Sequence, residues 1–268
     1  MSFLRHYLIA VQFFTRMPVT GALAQWAGFS PDMLRASAAH FPGVGLLVGL
    51  VACVSFALLG LALPDSPYAP LAAAVGCTIA TVLLTGGFHE DGLADVADGL
   101  GGSEQRERAL EIMKDSRLGS YGTLALVLGL LAKVSLLAVM AAQSPAGVLA
   151  ALFAAHVVSR FWPLLLIRTL PYVGDPASTK SKPLAERIDT PALAIAGAWC
   201  IVPLAVALLV EGPAFVIAAL LLSGGGLWWM RQMFRQRLQG FTGDCLGATQ
   251  QVCEVAFYLG AAIGLGLG

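Results

Sequence analysis

Apolar blocks about as long as a bilayer is thick constrain this chain more than any other feature. Seven such runs follow an N-terminal segment, at about 41–63, 68–88, 121–142, 145–167, 191–211, 213–230 and 249–267. A helix needs roughly 20 apolar residues to cross the hydrocarbon, and each run offers about that many. Of the 268 residues 57% are hydrophobic and only 12% are charged. Soluble domains carry about twice that charged share. The formal net charge of zero gives no bulk attraction to nucleic acid. The expected fold is therefore all-α: a polytopic transmembrane helical bundle of about seven spans, with the lipid bilayer as its solvent.

The connections between runs alternate in charge. Residues 64–67, 143–144 and 212 contain no Lys or Arg. Residues 1–40 carry Arg5, Arg16 and Arg35, and 89–120 carries Arg106, Arg108, Lys114 and Arg117. Residues 168–190 carry Arg168, Lys180, Lys182 and Arg187, and 231–248 carries Arg231, Arg235 and Arg237. Fourteen of the 16 cations thus fall on one face, which predicts a cytoplasmic N-terminus. The chain reads as one membrane domain over 1–268. Residues 1–40 form an interfacial segment, and 89–120, 168–190 and 231–248 are cytoplasmic loops. Phe3, Tyr7, Val11 and Phe14 recur at helical spacing in a run too short to span, as an interfacial helix does. The five cysteines fall in no segment placed outside the cell, so a disulfide framework is not expected.

Half of the 16 acids lie between His89 and Gly122: Glu90, Asp91, Asp95, Asp98, Glu104, Glu107, Glu111 and Asp115. On a helix Asp91, Asp95 and Asp98 would share an arc of roughly 60°. Like charges stacked this way repel. A bound Mg²⁺ reverses the sign of that term, and oxygen-only ligands suit it. The plainer alternative is a solvated acidic loop, but small apolar residues separate the acids. His89 could ligate metal, act as a base, or simply end a span. Ser103 reads as the N-cap of a helix over 103–114. Lys114, Asp115 and Arg117 precede Gly119-Ser120-Tyr121-Gly122, where a helix begins. Cations beside a helix N-terminus make a phosphate site; the plainer alternative is an ordinary basic stop at the cytoplasmic boundary.

Four ionisable residues fall inside apolar runs: Lys133, His156, Arg160 and Glu254. Such groups face the bundle interior, and Glu254 is expected to pair with Arg160 or Lys133. Near the end, Asp244 in GFTGDCLGA resembles a second ligand-bearing turn.

Taken together, HEDGLADVADGLGG, IMKDSRLGSYG, FFTRMPV, FPGVGLLVG and GDCLGA resemble the cobalamin-5′-phosphate synthase family, the adenosylcobinamide-GDP ribazoletransferases. The blocks span nearly the whole chain, and the first two are the specific ones. The resemblance implies a multi-pass enzyme of the bacterial cytoplasmic (inner) membrane with its active site facing the cytoplasm. It would join adenosylcobinamide-GDP to α-ribazole or its 5′-phosphate and release GMP, with Mg²⁺. It places metal ligands on Asp91, Asp95 and Asp98. It places the family's basic motif on Lys114, Asp115 and Arg117; on the reading of the residues themselves, these and Asp244 would take substrate phosphate, and Asp98 or His89 the proton. A homo-oligomer or a corrinoid-assembly complex is compatible with it. Asp95-Val-Ala-Asp98-Gly99 also resembles part of the CDP-alcohol phosphotransferase signature, whose remaining elements are missing at their usual spacing. The rival class is a transporter, whose path Lys133, His156, Arg160 and Glu254 would line.

Overall fold

The computed structural model of the chain describes residues 2–174 and 187–267. Lys180 and Lys182 of the expected 168–190 loop lie outside the described residues. Among those described, every long element is helical, and the one β-type contact is an isolated bridge between Tyr172 and Phe241. The N-terminal segment holds α1 (Ser2–Phe14), α2 (Gly21–Ala27) and α3 (Pro31–Ser37). Then follow α4 (Phe41–Ala62), α5 (Ala69–Thr85), α6 (Phe88–Gly102), α7 (Arg106–Ile112), α8 (Ser120–Gln143), α9 (Pro145–Thr169), α10 (Thr190–Arg237) and α11 (Gly243–Leu265).

α9 is the axis of the bundle. Its Ala150, Ala151, Ala154 and Ala155 are buried, and it packs against α4, α10 and α11. Small residues let these backbones approach closely. A Cβ on Gly45 of α4 would sit 2.2 Å from the His156 carbonyl oxygen, so that crossing requires glycine.

α10 is two helices. Gly212 lies at φ 83, a left-handed conformation that glycine tolerates, and Pro213 follows it. Each leg runs along α9, in opposite directions. Arg168 near the end of α9 reaches Thr190, while Ser144 at its start bonds Glu211. The second leg returns: Trp162 donates to Ser223 at 2.7 Å, and Arg231 donates to Thr169 at 3.0 Å. The hairpin turns the runs 191–211 and 213–230 into two antiparallel legs.

Each of the seven apolar runs is helical, but not each passes as a membrane span by length and composition. Four stretches do: Pro31–Ala62, Ser120–Gln143, Pro145–Thr169 and Thr190–Arg237. A fifth arises if α5 and α6, bent by 91°, count as one broken span. The difference from seven has local causes. α5 has only 17 residues, and α10 counts once despite its two legs. α11 carries Thr249, Gln250, Gln251 and Glu254 on its buried face. Outward faces are apolar: Leu50, Val54, Leu58 and Leu61 on α4, and Leu124, Leu128 and Leu131 on α8, are exposed.

The α1 helix buries Ile9, Ala10, Val11 and Phe14. Phe14 stacks on Phe41 at 4.2 Å between ring centroids, and Tyr7 on Trp199 at 5.4 Å. The N-terminal segment is thereby fastened to α4 and α10. All five cysteines are free.

Glu254 gathers two of the basic groups inside the bundle. Lys133 Nζ lies 2.6 Å from Glu254 Oε1, and His156 Nδ1 lies 3.2 Å from Glu254 Oε2. Gln250 Nε2 donates to Glu254 Oε2 at 2.6 Å and to Ser159 Oγ at 2.9 Å. Of the two expected partners of Glu254, Lys133 makes the direct pair. Arg160 instead donates to the His156 carbonyl at 2.9 Å. These residues fill the core rather than line an open path, as a transporter would require. Removing one member strands the other charge away from water, which costs about 3–5 kcal/mol. Glu254→Ala is therefore expected to lower the melting temperature in detergent by many degrees. An unchanged melting temperature would show that the pair holds nothing together.

Candidate active site

The acidic helix is aimed by its first two residues' neighbours. Gly86 and Gly87 both adopt left-handed conformations, at φ 72 and φ 70. Two such residues in succession turn the chain sharply, and only glycine does so without strain. α6 then leaves α5 at 91° and packs against α8 and α11. It packs on the start of α11 through glycines from both sides. A Cβ on Gly92 would sit 2.7 Å from the Asp244 carbonyl oxygen, and one on Gly247 would sit 3.3 Å from the His89 carbonyl oxygen.

This crossing brings Asp244 to Asp91 and Asp95. Burial pushes the Asp95 carboxyl up to about 7, with the charges of Asp244, Asp91 and Asp98 adding to it in that order. Asp244 is also raised, by burial first and by Asp91, against a hydrogen bond from Thr242. Among the described residues no cation forms an ion pair with Asp91, Asp95 or Asp244. Nor does any group of three His, Cys, Asp or Glu side chains there suffice by itself to hold a metal ion. Mg²⁺ commonly takes one or two carboxylates and completes its shell with water and substrate phosphate, so this donor set fits it.

Asp98 has a different task. Its Oδ2 accepts from the Gly119 amide at 2.7 Å and its Oδ1 from the Gly122 amide at 2.8 Å. A Cβ on either glycine would come within 2.4 Å of that carboxylate. Asp98 therefore caps α8, occupying the amides that the sequence pattern offered to a phosphate. Both Asp98 oxygens are thus bound to backbone amides, and its side chain is buried. His89 is buried too, its ring stacked 5.7 Å from Phe41, and its Nε2 has no hydrogen-bond partner. Glu90 turns to α11, where Gln251 donates to its Oε1 at 3.1 Å.

The basic motif lies on the surface. Arg117 Nε donates to Asp115 Oδ1 at 3.0 Å, and these bonds hold the exposed Asp115 carboxyl down to about 2. Lys114 is exposed. The helix expected over 103–114 begins at Arg106. Ser103 accepts from the Gln105 amide, making a turn before the helix rather than its cap. Arg106 donates to the Leu238 carbonyl at 2.7 Å, and Arg237 donates to the carbonyls of Leu100 and Ser103 at 3.1 and 2.8 Å. These bonds lash the end of α6 to the end of α10.

Long helices with apolar outer faces are compatible with a membrane protein. Comparison with known proteins makes this specific. The family described as cobalamin-5-phosphate synthase matches residues 6–262. A relative from Polaromonas naphthalenivorans, named adenosylcobinamide-GDP ribazoletransferase, is 59% identical, covering 99% of this chain and 100% of the relative. One of the same name from Leptothrix cholodnii is 48% identical over 97% of this chain and 96% of the relative. The chain belongs to the cobalamin-5-phosphate synthase family. No solved structure matches it.

The raised Asp95 makes the cation-free protein sensitive to pH. Its folded value, about 7, lies above the ordinary 3.8, so its contribution to stability is full below 3.8 and is lost as pH rises through 7. In a chelator, the melting temperature is expected to fall over that window, and Asp95→Asn to flatten the fall. An identical slope in the variant would contradict the cluster's electrostatics. Asp98→Ala is expected to cost about 1–3 kcal/mol by leaving two α8 amides unbonded. Unchanged stability on thermal denaturation would refute the capping role.

Proposed function

We propose that the end of the bundle formed by α6 and the start of α11 is where this chain, an adenosylcobinamide-GDP ribazoletransferase, joins its two substrates. The observation that carries this reading is the meeting of Asp91, Asp95 and Asp244 from two helices, with no cation ion-paired to them among the described residues. The substrate named by the relatives carries a diphosphate, and the partner is ribazole. Asp91, Asp95 and Asp244 would hold Mg²⁺, which supplies charge neutralisation at the diphosphate when bound.

The reaction exchanges the phosphoanhydride bond of the diphosphate for a phosphate ester bond. A ribazole hydroxyl oxygen bonds to the phosphorus attached to cobinamide, and the bond from that phosphorus to the GMP oxygen breaks. GMP leaves with the electron pair, and the hydroxyl proton passes to a carboxylate of the same cluster. Asp98 and His89, buried and turned away, serve α8 and the core instead. The chain's contribution is mainly positioning and electrostatics, as phosphoryl transfer requires. Lys114 and Arg117 lie on the surface beyond α7, where they would meet the substrate's outer phosphate.

The membrane reading rests on the apolar outer faces and on the charge pattern. The links that join Arg168 to Ile188, Arg231 to Thr169 and Arg237 to α6 gather basic residues at one end of the bundle. The opposite end carries Asp65 and Glu211 in its turns. The positive-inside rule then puts the acidic site, and the N-terminus, on the cytoplasmic side of the inner membrane. Seven crossings follow if α5, both legs of α10 and α11 each span.

Asp91→Asn and Asp95→Asn are expected to abolish Mg²⁺-dependent GMP release from adenosylcobinamide-GDP by purified protein. Turnover within a few-fold of the parent would remove the cation site from this account.

A further inference from the structure

A polar cleft of about 440 Å³ opens beside α6, lined by Gln12, Thr15, Arg16, Thr85, the Gly86–Gly87 bend and Asp91. No step above uses Arg16. Its backbone is fixed: the Arg16 amide donates to the Leu84 carbonyl at 2.7 Å, tying the end of α1 to the end of α5. Its side chain lies across the bend, so close that a Cβ on Gly86 would come 2.2 Å from Arg16 Nε. The guanidinium has no ion pair among the described residues. One wall of the cleft is thus an uncommitted, oriented cation. The other includes Asp91 of the acidic cluster.

An unpaired guanidinium beside a carboxylate proposed to hold a divalent cation is the donor set for a nucleoside diphosphate. The cation bridges some phosphate oxygens, and the planar fork takes two others on the same group. The gap between the two is what keeps Arg16 from simply neutralising Asp91. Gly86 serves the same end twice, by turning the chain and by leaving room for the side chain. α6 also starts without a side-chain cap, so amides of its first turn are left to the same opening.

We infer that Arg16 is a substrate-binding residue that holds a phosphate of the nucleoside diphosphate in the Gly86–Gly87 cleft. This inference rests on the cation reading of Asp91, and the test separates the two. GDP, with Mg²⁺ present, is the probe. Titrated into detergent-solubilised full-length protein, it should bind about tenfold more weakly to Arg16→Gln, because a charge-assisted pair is lost. Arg16→Lys should fall between, keeping charge but not the fork. In turnover, KM for adenosylcobinamide-GDP should rise while KM for ribazole stays put, which a merely structural role would not produce.

The parent protein provides a second readout that needs no variant. GDP with Mg²⁺ should slow phenylglyoxal modification of Arg16, mapped by mass spectrometry, and leave that of the exposed Arg108 unchanged. Equal GDP affinity in Arg16→Gln, or equal labelling of Arg16 with and without GDP, overturns the inference. If Asp91→Asn still abolishes turnover in that case, the cation site stands and only Arg16 falls. If Asp91→Asn is active while Arg16→Gln binds GDP poorly, the cleft stands and the cation reading falls.

Discussion

Asp91 and Asp95 can be held against Asp244 beside an apolar bundle only if something fixes the helix that carries them. α6 has no long apolar run to anchor it and would otherwise relax away from its own charge repulsion. The clamp has three parts. At the start, Gly86 and Gly87 turn the chain by conformations that other residues resist. At the end, Arg237 takes the carbonyls of Leu100 and Ser103. In between, Asp98 reaches across to the first amides of α8. With α6 held this way, Asp91 and Asp95 lie near Asp244.

The buried ion cluster supports the same arrangement from below. Glu254 is shared between Lys133 of α8 and His156 of α9, so one α11 side chain ties three helices together. Gln250 and Gln251 extend that network upward: Gln251 donates to Gln250 Oε1 at 2.9 Å and to Glu90 on α6 at 3.1 Å. A chain of polar contacts therefore runs from the middle of the bundle to the acidic helix. Such networks stabilise position only when their members are satisfied, and here most are. Among the described residues, the unpartnered His156 Nε2, Arg160 Nε, His89 Nε2 and Glu90 Oε2 mark where it is incomplete.

Much of this was readable from residues alone. Bilayer-length apolar runs gave the helices, because length and hydropathy are one-dimensional properties. The 91–95–98 spacing located the acidic helix, and Glu254 announced a buried partner by its setting. What the sequence could not show was which way each acid turns. Asp98 looks equivalent to Asp91 and Asp95 on a helical wheel, yet α8 lies on its side and claims it. Asp244 is far along the chain and joins the cluster only through the α6–α11 crossing. Ser103 looked like a cap because the true start of α7 depends on Arg106 reaching Leu238. Arg16 stood out only as the cation of the FFTRMPV block, and its place over the glycine doublet is a matter of the fold.

The central claim is that Asp91, Asp95 and Asp244 form one cation site completed by a nucleoside diphosphate. Electron paramagnetic resonance of Mn²⁺, a stand-in for Mg²⁺, titrated into the purified protein with GDP tests it most directly. The account predicts saturable binding of Mn²⁺ in a complex that includes GDP, weakened strongly by Asp244→Asn as well as by Asp91→Asn, and left intact by Asp115→Asn. Binding unaffected by Asp244→Asn, or lost equally in Asp115→Asn, would contradict it.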